Sequence, residues 1–460
     1  MSTAETLGSI PRRSGPPAAT PSPVPRGMLW NTPLARTESS RMAKDFWPED
    51  SVYSHLQSFP VISGDRVFVS TLEGIAAYEL GNGRNIWKQN WESKGSLFPW
   101  HDGRALFTGH PLSCPTVSEG RVYMRALKAA QTGLRCHDAA NGKLIWNTET
   151  NLAFSRTVWL SDPLLAYGMA IAVFLEPEGA DARPGTTPLN IHGVAAFDAA
   201  SGELRWKSSL VTGAMGRILE KVAGHDNKQY AMYRSSMQLG VPAADNGIVY
   251  TPTGMGSLAA LSAFTGEVIW LSGYPQLRSE SLENGNSAID RFLPRMLKFI
   301  SRGPVAPIVS DDVVVLAPKD ASGLIAFERQ SGIIRWTHDL CDSRFLAGVC
   351  DGNVLVADNT VKAVALASGK TVWEFTIPAD KKGLYAQPGF SGSTLYVPTP
   401  DVLLLLDART GKNTGSMPWN PQVGALGNLV VSGSTLVGVN GKFIGALSEQ
   451  KKYCLLYTSD

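Results

Sequence analysis

Residues 197–206 read Phe-Asp-Ala-Ala-Ser-Gly-Glu-Leu-Arg-Trp, and residues 261–270 read Leu-Ser-Ala-Phe-Thr-Gly-Glu-Val-Ile-Trp. Both segments predict a β-hairpin, because Ser or Thr precedes a Gly that can adopt positive φ without a Cβ clash. In both, a Trp follows the Gly by four residues. Six such pairs occur along the chain: Gly83/Trp87, Gly142/Trp146, Gly202/Trp206, Gly266/Trp270, Gly332/Trp336 and Gly369/Trp373. A repeat of this kind predicts the architecture of the whole chain.

A further β-type run belongs to each repeat. Val, Ile and aromatic residues bounded by Gly, Asp and Ser indicate strands. The runs are 66–69, 121–124, 247–250, 312–315, 353–356 and 394–397. The repeating unit is therefore a four-stranded antiparallel meander. The 37 residues from Gly332 to Gly369 are close to the roughly 40 residues of one propeller blade, so the longer intervals contain insertions.

The blade count depends on the two ends of the chain. A degenerate seventh hairpin ends at Gly411, and an eighth copy at 427–447 has no Trp and no outer strand. The segment 27–34 contains Trp30 but no hairpin, so we predict that it supplies the missing strand. This pairing closes the ring and removes two open sheet edges. We predict an all-β, eight-bladed propeller of four-stranded antiparallel blades over residues 28–447.

Composition fits one large folded domain. The 460 residues are 43% hydrophobic and 18% charged, which is enough to bury a large core. A formal net charge of +2 gives no indication of nucleic-acid binding. The sequence has no apolar run of about 18 residues, so we predict no transmembrane segment. Residues 1–27 are rich in Pro and predict a disordered linker, without the apolar stretch of a signal peptide.

The tail and the cysteines add little. We predict a non-propeller tail over residues 448–460; within it, residues 451–460 fit no blade and resemble translated sequencing-adapter read-through, so we expect Leu455 and Leu456 to be unpacked. Cys341 and Cys350 are close enough in sequence to pair. Buried free thiols are the interpretation that we favour, because the five cysteines show no CxxC spacing. They are Cys114, Cys136, Cys341, Cys350 and Cys454.

The pattern strand-Asp-x-x-[Ser/Thr]-Gly-x-x-x-Trp resembles the PQQ-like repeat. This repeat builds the eight-bladed propellers of quinoprotein alcohol dehydrogenases and of the outer-membrane assembly scaffold BamB, and the resemblance covers residues 28–447. It implies that each repeat Trp packs against the neighbouring blade as a structural residue. The residues concerned are Trp87, Trp146, Trp206, Trp270, Trp336 and Trp373, with the hairpin glycines Gly83, Gly142, Gly202, Gly266, Gly332, Gly369 and Gly411. A shared fold does not by itself imply a shared function.

A PQQ- and Ca²⁺-dependent alcohol dehydrogenase is the enzymatic alternative. Such an enzyme needs a quinone, a cation that polarises it and a carboxylate base. The dehydrogenases of the family commonly carry two adjacent, disulfide-linked cysteines, and this chain has no Cys-Cys pair. The pairs His101-Asp102 and His225-Asp226, and the run 136–138, hold side chains that point apart. We therefore predict no catalytic, cofactor or metal residues, and favour a non-catalytic role without excluding an enzyme.

The topology of a meander blade separates two ends of the ring. The Gly hairpins lie at one end, and the long insertions lie at the other: 88–113, 176–190, 207–242 and 271–303. Loops on a rigid scaffold are typical of a recognition surface. On a helix over 291–302, one basic stripe would be formed by Arg291, Arg295, Lys298 and Arg302. This helix could bind an anionic membrane surface or a partner's groove. Alternatively, its apolar face could pack on the propeller and leave the basic residues in solvent.

These features lead to one functional hypothesis and a further alternative. We predict a monomeric, non-catalytic propeller that binds a protein partner through the loop-rich face. The family resemblance suggests the periplasm or cell envelope. Binding of a carbohydrate or another small ligand is the remaining alternative, because Trp91, Trp100 and Trp159 are in or near the predicted loops.

Overall fold

The described residues form eight β-sheets arranged as propeller blades, together with one separate two-stranded hairpin. The structure is a computed structural model. It describes residues 27–34, 59–71, 74–90, 114–128, 131–178, 189–214, 218–223, 229–234, 241–275, 306–310, 312–318, 321, 323–339, 345–440 and 442–448.

The strands run in chain order from the inside of each blade to the outside. The first strand of the chain, β1, spans Gly27–Pro33. Blade one contains β2 (Pro60–Ser63), β3 (Arg66–Thr71), β4 (Gly74–Glu79) and β5 (Asn85–Asn90). Blade two contains β6 (Thr116–Ser118), β7 (Arg121–Lys128), β8 (Gln131–Asp138) and β9 (Leu144–Asn147). Blade three contains β10 (Val158–Trp159), β11 (Leu164–Ala166), β12 (Met169–Pro177), β13 (Leu189–Asp198) and β14 (Leu204–Ala214).

The remaining blades follow the same order. The separate hairpin pairs β15 (Ile218–Ala223) with β16 (Gln229–Arg234). Blade four contains β17 (Ala243–Asp245), β18 (Ile248–Pro252), β19 (Ser257–Ser262) and β20 (Val268–Gly273). Blade five contains β21 (Ile308–Val309), β22 (Val313–Leu316), β23 (Gly323–Glu328) and β24 (Ile334–Asp339), and blade six contains β25 (Phe345–Cys350), β26 (Asn353–Ala357), β27 (Thr360–Ala365) and β28 (Thr371–Thr376). Blade seven contains β29 (Gly389–Ser391), β30 (Thr394–Pro398), β31 (Val402–Asp407) and β32 (Asn413–Pro418), and blade eight contains β33 (Val430–Ser432), β34 (Thr435–Val439) and β35 (Phe443–Ser448) together with β1.

The core lies between neighbouring blades. The second and third strands of each blade have packed sheets on both faces, so they are continuous apolar runs rather than alternating ones. All four residues of β22 are buried, as are Leu403–Leu406 in β31. Between blades four and five, Tyr250 and Leu258 pack in one cluster with Val314 and Phe327. Each inter-blade space is therefore a separate slice of core.

The two ends of the ring differ in their connections. Tight turns join the first and second strands, and in blades two, three, four and six both turn residues have positive φ, which gives the twist that suits a hairpin. Examples are Asn246-Gly247, with φ of 46° and 76°, and Asp351-Gly352, with φ of 46° and 73°. These turns share an end with the glycine hairpins, which we call the hairpin end. The opposite end, where second strands lead to third strands and one blade leads to the next, is the loop end.

The N-terminal strand closes the ring, as the sequence predicts. Strand β1 pairs antiparallel with β35, with Asn31 opposite Gly445, and the Leu34 N–H donates to the Lys442 carbonyl at 2.8 Å. The resulting sheet has the order β1-β35-β34-β33. The inner strand β33 contacts β2 of blade one and β29 of blade seven. The prediction of eight blades with an N-terminal closing strand is confirmed.

Blade three departs from the regular unit. Its inner edge is divided into β10 and β11, which both pair with β12. Its outer strand continues to Ala214, since β12, β13 and β14 are longer than the equivalent strands of the other blades and pair with one another along the added length. Part of the predicted insertion 207–242 is therefore strand, and the hairpin β15–β16 lies within it.

The helical content of the described residues is two 3₁₀ turns, Leu152–Phe154 and Ala379–Lys381. In this part of the chain, no helix has the length and apolar character needed to cross a membrane.

Candidate functional site

The repeat tryptophans lie against the hairpin glycines of the next blade. A Cβ built on Gly142 would fall 2.6 Å from Cε3 of Trp87, so only glycine permits this approach. The same geometry recurs around the ring, in the pairs Trp87/Gly142, Trp146/Gly202, Trp206/Gly266, Trp270/Gly332, Trp336/Gly369 and Trp373/Gly411. The glycine therefore serves the turn, at positive φ, and the contact between blades.

Each of these indoles also makes a hydrogen bond to the neighbouring blade. Trp206 Nε1 donates to the Ala263 carbonyl at 2.8 Å, and Trp336 Nε1 donates to the Leu366 carbonyl at 2.9 Å. The acceptor always lies three residues before the hairpin glycine. The Ala139 carbonyl uses both of its lone pairs, since it accepts from Trp87 Nε1 at 3.0 Å and from Arg66 Nη1 at 2.7 Å.

A second anchor lies two residues after the tryptophan in several blades. The Ser208 hydroxyl donates to the Gly266 carbonyl at 2.6 Å, and His338 Nδ1 lies 2.6 Å from the Gly369 carbonyl. The closing strand follows the same plan. Trp30 Nε1 donates to the Leu80 carbonyl at 2.7 Å, and Thr32 donates to the Gly83 carbonyl at 2.7 Å. Strand β1 therefore makes the same contact with blade one that each complete blade makes with its successor.

The contact between blades seven and eight lacks both partners of this arrangement. The position that corresponds to Trp373 is Gly415, opposite Leu405, and a Cβ there would meet no atom within 4 Å. Blade eight has no hairpin glycine, because its outer strand comes from the other end of the chain. Trp419 and Leu426 fill the corresponding core, and Trp419 Nε1 donates to the Thr399 carbonyl at 2.7 Å.

An acidic residue holds several of the hairpins. Asp198 Oδ1 accepts hydrogen bonds from the backbone N–H groups of Ala200 and Ser201 at 3.0 and 2.8 Å, and Oδ2 pairs with Arg205 at 2.7 Å. The hydrogen bond from Arg205 and those from the turn lower the pKa of Asp198 below its usual value. Asp407 makes the equivalent turn contacts in blade seven. The acidic residue of the repeat is therefore engaged in the turn.

Blades two and three meet around a buried charge. Arg125 is 1% exposed and donates from Nη1 to the carbonyls of Trp159 and Leu160 at 3.2 and 3.3 Å. Asp162, in the break between β10 and β11, accepts from the backbone N–H groups of Arg125 and Cys114 at 2.7 and 2.8 Å. Burial lowers the pKa of Arg125, and the charge of Asp162 opposes this shift. A carboxylate that is engaged in this way is not available as a free base.

A buried histidine lies in the extended part of blade three. His192 is 1% exposed on β13, at the bulge that precedes Gly193. Burial lowers the pKa of His192 to about 4, while the backbone of Thr253 in blade four opposes the shift. In blade four, the hydroxyl oxygens of Thr253 and Ser257 lie 2.7 Å apart. Because burial lowers its pKa, His192 is neutral at physiological pH.

Comparisons with known proteins assign this architecture. A family model described as "Outer membrane protein assembly factor BamB" matches residues 192–346 and 357–445, just over half of the chain. The chain belongs to this PQQ-like, BamB-like propeller family.

Individual proteins show how far the similarity extends. The outer membrane protein assembly factor BamB of Yersinia pestis is 24% identical over 381 residues, which cover 75% of this chain and 92% of that protein. The crystal structure of BamB from Moraxella catarrhalis has a TM-score of 0.51 at 17% identity, covering 92% of this chain and 99% of that one. A quinohemoprotein alcohol dehydrogenase from Pseudomonas putida has a TM-score of 0.53 at 12% identity, covering 92% and 76%. Both structures show the fold alone.

Because dehydrogenases share the fold, the fit to a quinone and its cation is a necessary test. Among the described residues, no three His, Cys, Asp or Glu side chains converge in a way that could hold a metal ion. Asp162 and Asp198 are occupied by backbone N–H groups.

Several predicted residues lie outside the described part of the chain. These are the stripe Arg291, Arg295, Lys298 and Arg302, the loop residues Trp91 and Trp100, the pairs His101-Asp102 and His225-Asp226, Cys341, Cys454, and residues 449–460. Trp159, which the sequence analysis places in or near a loop, is described and lies in strand β10. It is fully buried, 5.5 Å from Phe197 between ring centroids, because β10 folds onto β12. Among the described cysteines, Cys136 and Cys350 are buried free thiols and Cys114 is also buried.

The sequence reasoning missed Arg125, Asp162 and His192. No spacing marks them, because each lies alone in a strand or connection that resembles its neighbours. The second anchor could have been found from the sequence, since Thr32, Ser208 and Ser272 all follow a repeat tryptophan by two residues.

Proposed function

We propose that this chain is a non-catalytic propeller scaffold of the bacterial cell envelope that binds a protein partner through the loop end and requires no bound cofactor. Membership of the BamB-like family carries the proposal. The Yersinia pestis relative, which spans most of this chain, is named an outer membrane protein assembly factor.

The unequal ends of the ring support binding at the loop end. At the hairpin end the connections are two-residue turns and glycine hairpins. At the loop end, β7 and β8 of blade two reach 8 residues, and β13 and β14 of blade three reach 10 and 11. Leu152, in the connection between these two blades, is 88% exposed. Rigid elements that project from one end are a suitable platform for recognition.

Complementation tests the proposal. The full chain, with an export signal added, is expressed in a bacterial strain that lacks BamB, and the amount of folded outer-membrane protein is measured. We expect partial rescue by the unchanged chain and loss of rescue for Leu152→Asp. Ile333→Asp is the matched control, since Ile333 is 64% exposed at the hairpin end. Absence of rescue by the exported, folded chain would refute a role in outer-membrane assembly.

The non-catalytic part has its own test. Purified protein is mixed with PQQ and Ca²⁺, and the unfolding temperature and dye-linked alcohol oxidation are measured. We expect neither a thermal shift nor turnover. Saturable binding together with turnover would replace the scaffold by a quinoprotein enzyme.

A further inference from the structure

The repeats provide an internal comparison of the outer rim, and blade four differs from the others. Relative to the hairpin glycine, the rim residues are at positions −2, +2, +3 and +5. In blade four they are Phe264, Val268, Ile269 and Leu271, which we call the blade-four strip. The same four positions in the other hairpins are, by blade: in blade one Gly81, Asn85, Ile86 and Lys88; in blade two Ala140, Leu144, Ile145 and Asn147; in blade three Ala200, Leu204, Arg205 and Lys207; in blade five Gln330, Ile334, Arg335 and Thr337; in blade six Ala367, Thr371, Val372 and Glu374; in blade seven Arg409, Asn413, Thr414 and Ser416. None of these six sets has more than two large apolar residues.

The blade-four strip is exposed along its whole length. Phe264 is 64% exposed, Val268 47%, Ile269 51% and Leu271 44%. Tyr167, from the adjacent turn of blade three, extends the apolar surface, with its ring centroid 5.3 Å from that of Phe264. Isolated apolar residues are normal on a surface, whereas a contiguous row of them marks an interaction site.

The strip also carries free backbone groups. The Tyr274 N–H donates to the Gly256 carbonyl at 2.8 Å, and Ser257 pairs with Gly273. Because backbone groups alternate along a strand, those of Leu271 and Gly273 point away from β19. Among the described strands, β20 has no partner on this side. The outward edge therefore offers two N–H donors and two carbonyl acceptors beside apolar side chains.

Unpaired edges are usually protected by charge, proline or a bulge. The outer strand of each of blades one to seven has a β-bulge directly before the repeat tryptophan or its equivalent residue. In blade four the bulge is at Ile269. Beyond the bulge, at the position of Leu271, blades one, three and six place Lys88, Lys207 and Glu374. Blade four has no charge between Val268 and Gly273. The segment Trp270–Gly273 therefore has no charge and no proline, and its exposed side chain at Leu271 is apolar.

We propose that the blade-four strip binds an extended segment of a partner protein that carries apolar residues at alternate positions and pairs with the Leu271 and Gly273 backbone. A strand added to a sheet edge gains affinity from main-chain hydrogen bonds and specificity from alternate side chains. The occupant is a short segment rather than a second copy, because a four-residue edge on a convex rim falls far short of the roughly 1,200 Å² that stable interfaces between folded proteins bury. The strip lies on the rim, so this binding is separate from recognition at the loop end.

Fluorescence anisotropy with a defined peptide tests the proposal on the full chain. The probe is a labelled decapeptide of alternating Val and Thr with a Lys-Lys tail for solubility. The control peptide has the same composition with the valines grouped together. We expect the alternating peptide to bind, and Leu271→Lys to weaken its binding at least tenfold. Thr337→Lys, at the equivalent position of blade five, leaves the affinity unchanged. N-methylation of alternate peptide bonds, which removes the paired donors, also weakens binding at least tenfold.

Other outcomes would overturn the proposal. No binding to the unchanged chain at 1 mM peptide rejects it, and so does equal affinity of the Leu271→Lys and Thr337→Lys variants. Equal binding of the grouped peptide shows an unspecific apolar surface. A dimer in sedimentation that Leu271→Lys dissociates identifies a second copy as the occupant. Peptide binding that appears only after residues 276–305 are replaced by a Gly-Ser linker identifies a segment of the same chain.

Discussion

The contact between tryptophan and glycine can be measured with two alanine substitutions that share the same backbone conformation. Gly332 and Gly352 both have a φ of 73°. A Cβ on Gly352 would meet nothing within 4 Å, whereas one on Gly332 would fall 2.6 Å from Cε3 of Trp270 and 2.5 Å from Oγ of Ser272. The difference between the two variants therefore isolates the contact from the conformation.

The expected magnitudes follow from two separate effects. Both variants place a Cβ at positive φ, which costs about 1–2 kcal/mol. Gly332→Ala also overpacks the contact between blades four and five, at a further cost of about 1–3 kcal/mol. We therefore expect the free energy of unfolding of Gly332→Ala to lie about 1–3 kcal/mol below that of Gly352→Ala.

The free energy of unfolding of both variants is measured in urea by tryptophan fluorescence and by far-UV circular dichroism. The free energies can be compared if the two signals give coincident unfolding transitions. The same pair is then made in a Trp270→Ala background. If the indole causes the extra cost, Gly332→Ala should there cost about as much as Gly352→Ala. Equal destabilisation of the two variants in the unchanged background would show that the indole does not constrain the glycine.

Three further predictions concern the buried groups and the ring closure. His192 has a pKa of about 4 in the folded state and of about 6.5 in the unfolded state, so the unfolded state binds more protons between these pH values. The resulting contribution to the free energy of unfolding, about 3 kcal/mol, is fully present above pH 6.5 and is lost as the pH falls towards 4. His192→Gln should flatten the dependence of unfolding free energy on pH over this range, and an unchanged slope would contradict the assignment. Arg125→Met should destabilise by about 3–5 kcal/mol, because it removes the buried cation whose charge interacts with that of Asp162. Arg84→Met, on an exposed hairpin, should have a much smaller effect; equal effects in urea unfolding would count against this interaction. Trp30→Phe removes the hydrogen bond to Leu80 and should cost about 1 kcal/mol while speeding proteolysis within β1; unchanged cleavage would show that the indole does not hold the closing strand.

The fold could be predicted from the sequence because its information is local and repeated. Each hairpin carries its own turn residue and its own Trp, so the blade count follows from the spacing. The closing strand could be predicted from the segment 27–34, which contains Trp30 but no hairpin. Blade three was harder, because the divided inner edge depends on Asp162 accepting hydrogen bonds from Cys114 and Arg125, residues 48 and 37 positions away.

The burial of Trp159 could not be predicted from the sequence for the same reason. Residues 158–159 look like part of a connection when only local pattern is considered. The pairing of Trp159 with Phe174, and its burial among aromatic rings, depend on β12 extending to Pro177. The repeat pattern predicts the features that all blades share, and it does not predict a feature that occurs in one blade alone. The blade-four strip was recognised only once the structure gave the exposure of each equivalent position.

The missing contact between blades seven and eight follows from how the ring closes. In every other blade, the hairpin glycine and the outer strand belong to one continuous segment, so a Trp from the preceding blade always finds a Gly. In blade eight the third strand β35 and the outer strand β1 come from opposite ends of the chain, and no hairpin joins them. Without that glycine a Trp at position 415 would have no partner, and the chain has Gly415 instead. The absence of the Trp in blade seven and the absence of the hairpin in blade eight are therefore two consequences of one closure.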